Sequence, residues 1–162
     1  SYTIRLFPKR AGIRYSYPVH ESLVPAIQRT DMRVCRCLVP IHHFGGIYDR
    51  ETSLSKLALY RVLGQEKIAR YPSYFLGYLE LGQLYLRTGN IQEAASLFRR
   101  ALALRPRCIE AQCFAMISLL LQGRLVECRK YLQDSQRFEP TNADLRYVHH
   151  LLKSAECSQL DR

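Results

Sequence analysis

Acidic residues are scarce in this chain: 14 Asp and Glu stand against 24 Lys and Arg, and the net charge is +10. Such an imbalance invites nucleic acid or anionic lipid as a partner. The positive charge is spread through every third of the sequence, however, and no basic helix face alternates with the stacking aromatics that a nucleic-acid binder needs. Nucleic acid is therefore not expected. No apolar run reaches the length of a membrane span, and no leader pattern opens the chain. It begins at Ser1, inside a strand-like run, which suggests a portion of a longer polypeptide.

The six cysteines include no C-x-x-C pair. Cys35, Cys37, His42 and His43 lie close in sequence, yet their spacing matches no structural zinc pattern. A helical array of this size does not need disulfides, so reduced thiols and a cytoplasmic location are expected. Cys128 falls where a small residue is required, and a buried thiol serves there as a small hydrophobe. No Ser-His-Asp or Cys-His signature of a hydrolase is present.

What the chain has is a period. Pro72, Pro106 and Pro140 stand 34 residues apart, and Gly89 and Gly123 keep the same interval. That is the spacing of a helix-turn-helix repeat. Counting from Phe75, the residues Tyr78, Leu81, Gly82, Tyr85, Ala94, Phe98, Ala101 and Pro106 occupy positions 4, 7, 8, 11, 20, 24, 27 and 32. This resembles the tetratricopeptide repeat (TPR) at every signature position. Gly82 and Ala94 let two helices approach closely, Gly89 supplies the left-handed residue that ends a helix, and Pro106 stops the next one. In the second copy Gln112, Ala115, Met116, Leu119, Cys128, Leu132 and Ser135 take the signature places, keeping the period but not the consensus. The pattern predicts helix pairs at 75–88 and 91–105, then 109–122 and 125–138. A closing helix follows from about 143, with Asn142 as its N-cap. Residues 49–71 read as a connecting or capping helix, since a solenoid leaves an apolar side open at each end.

Residues 1–48 read differently. Tyr2 to Phe7 and Ile13 to Tyr17 alternate as short strands, a short helix follows through HESLVPAIQ, and Met32 to His42 reads as a third strand. The expected fold is thus mainly α, a TPR solenoid of about two and a half repeats in 72–162, preceded by a small partial α/β segment.

The order of motifs in that segment carries a second resemblance. Arg5-Leu6-Phe7, Gly12-Ile13-Arg14-Tyr15, Val19-His20-Glu21, Ile41-His42-His43-Phe44-Gly45 and Lys56 precede the repeats. This is similar to the C-terminal end of a family-2 (GT-A type) glycosyltransferase domain in bacterial enzymes fused to TPR repeats. The resemblance implies sugar transfer from a nucleotide diphosphate. It also implies a divalent metal (Mg or Mn) in the parent enzyme, His20 as a metal or diphosphate contact, and Glu21 in the active site. The alternative is that His20 caps a helix and Glu21 sits in its first turn. The chain contains no Asp-x-Asp and no nucleotide-binding βαβ unit, so it is expected to be inactive alone, to hold no cofactor, and to lack an N-terminal glycosyltransferase domain.

The TPR resemblance also implies where a partner sits. The first helix of each repeat lines the concave face, here Leu79, Gln83, Leu86, Phe114, Ile117, Leu121, Tyr147 and Leu151. Some members clamp a C-terminal carboxylate with Lys, Asn and Arg. The corresponding places hold Leu79, Gln83, Phe114, Asp144 and Val148, so that clamp is missing. An apolar groove implies a hydrophobic peptide, a second copy of the chain (a homo-oligomer) or a neighbouring domain; otherwise these residues are buried against the stack's own capping helix. A non-enzymatic TPR scaffold mediating protein-protein interaction is the alternative to a glycosyltransferase.

Overall fold

The computed structural model describes residues 7–35 and 50–160, with side chains for 7–35 and 55–158. The described residues form seven helices: α1 (Val24–Ile27), α2 (Arg50–Arg70), α3 (Phe75–Arg87), α4 (Ile91–Leu104), α5 (Ile109–Leu121), α6 (Leu125–Gln136) and α7 (Ala143–Leu160). The chain divides into two compact units, Ser1–Leu63 and Gly64–Arg162, and the division falls within α2.

In the second unit α3 packs on α4, α4 on α5, α5 on α6, and α7 on both α5 and α6. The helices thus stack in chain order, as a TPR-like solenoid does. Two apolar clusters fill the stack. The first gathers Tyr78, Leu79, Ala94, Phe98, Ala101, Ala111 and Ala115 between the first helix pair and α5. The second gathers Cys113, Met116, Leu125, Cys128, Leu132, Leu145, Val148 and Leu152 among α5, α6 and α7. Burial of this kind, at about 25 cal/mol per Å² of apolar surface, is the main term holding such helices together.

The turns explain the period. Gly89 has φ 80° and Gly123 φ 72°, the left-handed region. Gly89 N donates to Leu86 O and Asn90 N to Tyr85 O; Gly123 N donates to Leu120 O and Arg124 N to Leu119 O. Each pair is a Schellman closure, which satisfies the last carbonyls of one helix and reverses the chain into the next. The turns between repeats are held by a side chain. Tyr78 Oη donates to Pro72 O at 3.0 Å, and 34 residues later Gln112 Nε2 donates to Pro106 O at 2.8 Å. Gln112 therefore keeps the hydrogen bond of Tyr78 although it loses the ring. Asn142 caps α7 as its sequence position predicts: its Oδ1 accepts from Asp144 N at 2.9 Å and Leu145 N at 3.3 Å. Ser118 and Ser135 are buried but satisfied, each hydroxyl donating to a carbonyl one turn back.

The close approach at Gly82 is real. A Cβ there would lie 2.6 Å from Phe98 Cε1, and Phe98 and Ala94 are fully buried. The end of α2 covers α3 in a similar way. A Cβ at Gly64 would lie 2.8 Å from Leu81 Cδ1, and one at Gly77 would lie 3.2 Å from Ile68 Cγ2. Beside these contacts Lys67, only 1% exposed, pairs with Glu80 at 2.6 Å.

The first unit departs from the strands expected of it. Among the described residues no strand forms. Ser16 and Ser22 exchange two backbone hydrogen bonds, 2.9 and 3.0 Å, as an isolated antiparallel bridge. The alternation at Ile13 to Tyr17 buries Ile13 but meets no second strand among the described residues, and a strand without a ladder has no structure of its own. Residues 32–35 are not a strand either. The strand expected over Tyr2–Phe7, apart from Phe7, and the remainder of Met32–His42 lie outside the described residues. The short helix is α1, and Ile13, Leu23 and Ile27 bury together with Phe7 and Met32 against them.

Candidate functional site

His20 and Glu21 fall in the five-residue loop closed by the Ser16–Ser22 bridge. Tyr17 has φ 74° and His20 φ 49°, both left-handed and both uncommon for residues with a Cβ. Both His20 and Glu21 are exposed, and the His20 ring stands 6.1 Å from that of Tyr60. The helix-capping alternative does not hold, because α1 begins at Val24 with Leu23 at its N-cap. Among the described residues no group of three or more His, Cys, Asp or Glu could hold a metal ion. His20 belongs to no such group, and Glu21 is exposed. Cys37, His42 and His43 lie outside the described residues.

The eight residues assigned to the first helices divide by burial. Leu79 is 2% exposed and belongs to the core cluster, so it is not available to a partner. Phe114 is half-buried and stacks on Phe98, with ring centroids 5.5 Å apart and planes at 18°. Gln83 is tied across the repeat boundary, its Nε2 donating to Glu110 Oε1 at 2.9 Å. Leu86, Ile117 and Leu151 are half-buried. Leu121 and Tyr147, at 56% and 60% exposure, stand uncovered. Apolar surface is thus left open at Leu121 on α5 and Tyr147 on α7, while Leu86 and Ile117 pack in part against the two core clusters and Leu151 is half-buried. Of the clamp positions, Leu79 and Val148 are core residues, and the others carry an amide, a ring and a carboxylate rather than a cation.

The buried chemistry beside this surface is inert. Burial pushes the Cys113 thiol up to about 11, helped by Asp144, Cys108 and Glu110, and the Cys128 thiol up to about 11, helped by Glu156. Neither is a thiolate near neutral pH, so neither is a nucleophile. Burial, with a smaller contribution from Cys113, also raises the Tyr131 phenol.

A feature of α4 and the turn after it was visible in sequence only as a run of arginines without acids. Arg100 lies over the Tyr78 ring at 5.9 Å, Arg105 over Phe75 at 4.9 Å and Arg107 over Phe138 at 5.7 Å. The spacing in RRALALRPR shows the cations, but the rings beneath them come from α3 and from the segment after α6.

Comparison with known proteins matches the geometry of the second unit. The family model described as Tetratricopeptide repeat matches residues 75–108. The second TPR domain of human RPAP3, solved in complex with the HSP70 peptide SGPTIEEVD, superposes with a TM-score of 0.55 at 19% identity, over 64% of this chain and 89% of that one. The TPR domain of Arabidopsis OM64 superposes with a TM-score of 0.56 at 14% identity, over 64% of this chain and 85% of that one. No curated protein matches the sequence. At these identities the likeness is one of fold, and it is to TPR domains rather than to a glycosyltransferase. No helix among the described residues is long and apolar enough to cross a membrane.

Proposed function

We propose that this chain is a protein-interaction module that holds an extended or helical apolar segment of a partner protein on α3, α5 and α7. The observation that carries the reading is the exposure of Leu121 and Tyr147, with Leu86, Ile117 and Leu151 half-buried, on helices whose other sides are buried in the stack. The RPAP3 domain that shares the fold is in complex with a peptide, which makes a peptide segment the natural class of ligand. The anchors differ from a carboxylate clamp: without cations at Leu79, Gln83, Phe114, Asp144 and Val148, affinity comes from apolar side chains and not from a chain terminus. Tyr147 supplies a large ring with a polar tip, the kind of residue that dominates interface energetics.

The test is panning of a displayed peptide library on the whole chain. Peptides with two or more apolar anchors are expected, and Leu121→Asp with Tyr147→Asp should abolish their binding while leaving the melting curve unchanged. Enrichment of peptides that bind the double variant equally well would refute the face. The transferase reading rests on the order of short motifs from Arg5 to Lys56 and their handover into the repeats. Its own test is whether the reading frame encodes an upstream Asp-x-Asp in a nucleotide-binding sheet.

A further inference from the structure

The net charge is not shared evenly among the helices. On α6 and at its two ends three arginines find carboxylates: Arg124 with Glu127, Arg129 with Glu156, and Arg137 with Asp134. From Ala94 to Ile109 there are four arginines, Arg99, Arg100, Arg105 and Arg107, and no acid. All four are exposed. Three of them are held in place by rings, as described above. Phe75 and Tyr78 are one turn apart on α3 and so lie on one face; the guanidiniums above them, Arg105 and Arg100, are thereby gathered on adjacent turns. Arg107 follows Arg105 by two residues in the same turn and rests on Phe138. The turn itself is firm, since Cys108 N donates to Arg105 O and Gln112 Nε2 to Pro106 O.

We propose that Arg100, Arg105 and Arg107 form a second docking surface, which takes an acidic segment of a protein. A guanidinium stacked on a ring keeps its N–H edges outward, where they match a carboxylate in bidentate fashion. The ring has already restricted the long side chain, so less freedom is lost when the carboxylate arrives. Protein carboxylates fit better than nucleic acid for a specific reason. Tyr78 is buried and Phe75 half-buried, so of the three rings only Phe138, 70% exposed, could offer a face to a base, and one ring is not the row of platforms on which successive bases stack. Acids flank the surface at Glu93, Glu110 and Glu139, and none of them is paired with Arg100, Arg105 or Arg107, whose guanidiniums lie over rings instead. The surface involves none of the apolar residues assigned to the first partner segment, so the two are independent.

The experiment uses the whole chain and a fluorescein-labelled peptide of alternating Glu and Ser, read by fluorescence anisotropy, with oligothymidine of similar length as competitor. The peptide is expected to bind, more weakly as salt rises from about 50 to about 200 mM. The triple variant Arg100→Gln, Arg105→Gln, Arg107→Gln should lose about tenfold or more in affinity. A control variant with the same change in charge, Arg87→Gln, Lys130→Gln, Arg146→Gln, should lose much less. Equal loss in the two triple variants would reduce the effect to net charge and overturn the proposal, as would oligothymidine binding tighter than the peptide. Because Arg100 and Arg105 also pack on rings, the unmutated chain supplies an independent measurement. Backbone amide shifts on titration with the peptide should concentrate at residues 99–108 and around Phe75 and Phe138. Shifts concentrated on Leu121 and Tyr147 instead would place the peptide on the apolar face and refute the second surface.

Discussion

Replacing Gly82 tests the packing of the first repeat most directly. A Cβ at this position would stand 2.6, 2.9 and 3.0 Å from three carbons of the Phe98 ring, where about 3.5–4.0 Å is the favourable separation. The ring has nowhere to withdraw. Phe98 is fully buried, stacked on Phe114 at 5.5 Å, and clustered with Ala94 and Ala101. Overpacking of a filled core costs about 1–3 kcal/mol, while Gly→Ala inside a helix returns about 1 kcal/mol of propensity. Gly82→Ala should therefore lose up to about 2 kcal/mol, and Gly82→Leu about 1–3 kcal/mol or more, since three further carbons must be accommodated. For a unit of this size about 2 kcal/mol corresponds to a fall of roughly 8–16 °C in Tm. The assay is thermal and urea unfolding followed by circular dichroism, on Gly82→Ala, Gly82→Leu, Phe98→Leu and the double variant Gly82→Ala/Phe98→Leu. Shrinking Phe98 should make the alanine tolerable, so the double-mutant cycle should show a favourable coupling of about 1 kcal/mol or more. A Gly82→Ala protein as stable as the unmutated chain, or strict additivity in the cycle, would refute the claim that this glycine exists for Phe98.

Three further outcomes are expected. Lys67→Ala should cost about 3–5 kcal/mol in urea unfolding, because it both empties a site at 1% exposure and takes the ion-pair partner from Glu80, whereas Lys67→Met, which loses the ion pair but keeps the volume, should cost clearly less; equal losses would show that the ion pair rather than packing matters. Native protein treated with a thiol reagent near pH 8 should be modified at the exposed Cys35 and Cys157, with Cys113 and Cys128 reacting only after unfolding. Those two thiols bind their protons more tightly when folded, at about 11 against an ordinary 9.0, so their contribution to stability is complete below pH 9 and is lost as pH rises toward 11; a flat stability profile over that range would contradict it. Asn142→Ala removes the acceptor of two backbone N–H groups and should cost about 1 kcal/mol, while Asn142→Asp should restore most of it; the check is the unfolding midpoint of each variant.

The repeats were legible in the sequence because what defines them is local. A left-handed residue such as Gly89, a cap such as Asn142, and a breaker such as Pro106 act through bonds to residues a few positions away, and apolar spacing repeats with the turn of the helix. The helix limits accordingly fall within about two residues of the expected ones. The close contact behind Gly82 was legible too, since only a missing Cβ explains a glycine inside a strong helix pattern. Burial was not legible in the same way. Leu79 and Leu121 are both leucines on first helices of successive repeats, yet one is core and the other is more than half exposed, and only the next helix in the stack decides which. The alternating residues of 13–17 have strand character, but among the described residues their backbone pairing amounts to the isolated Ser16–Ser22 bridge, and a ladder is a property of two segments rather than one. Nothing local marks Lys67 as buried, because its burial and its ion pair with Glu80 depend on how α2 lies against α3. The rings beneath Arg100, Arg105 and Arg107 come from residues 22 to 31 positions away, so their meeting is an outcome of helix stacking, while the absence of acids between Ala94 and Ile109 that leaves those cations to the rings is written in the sequence.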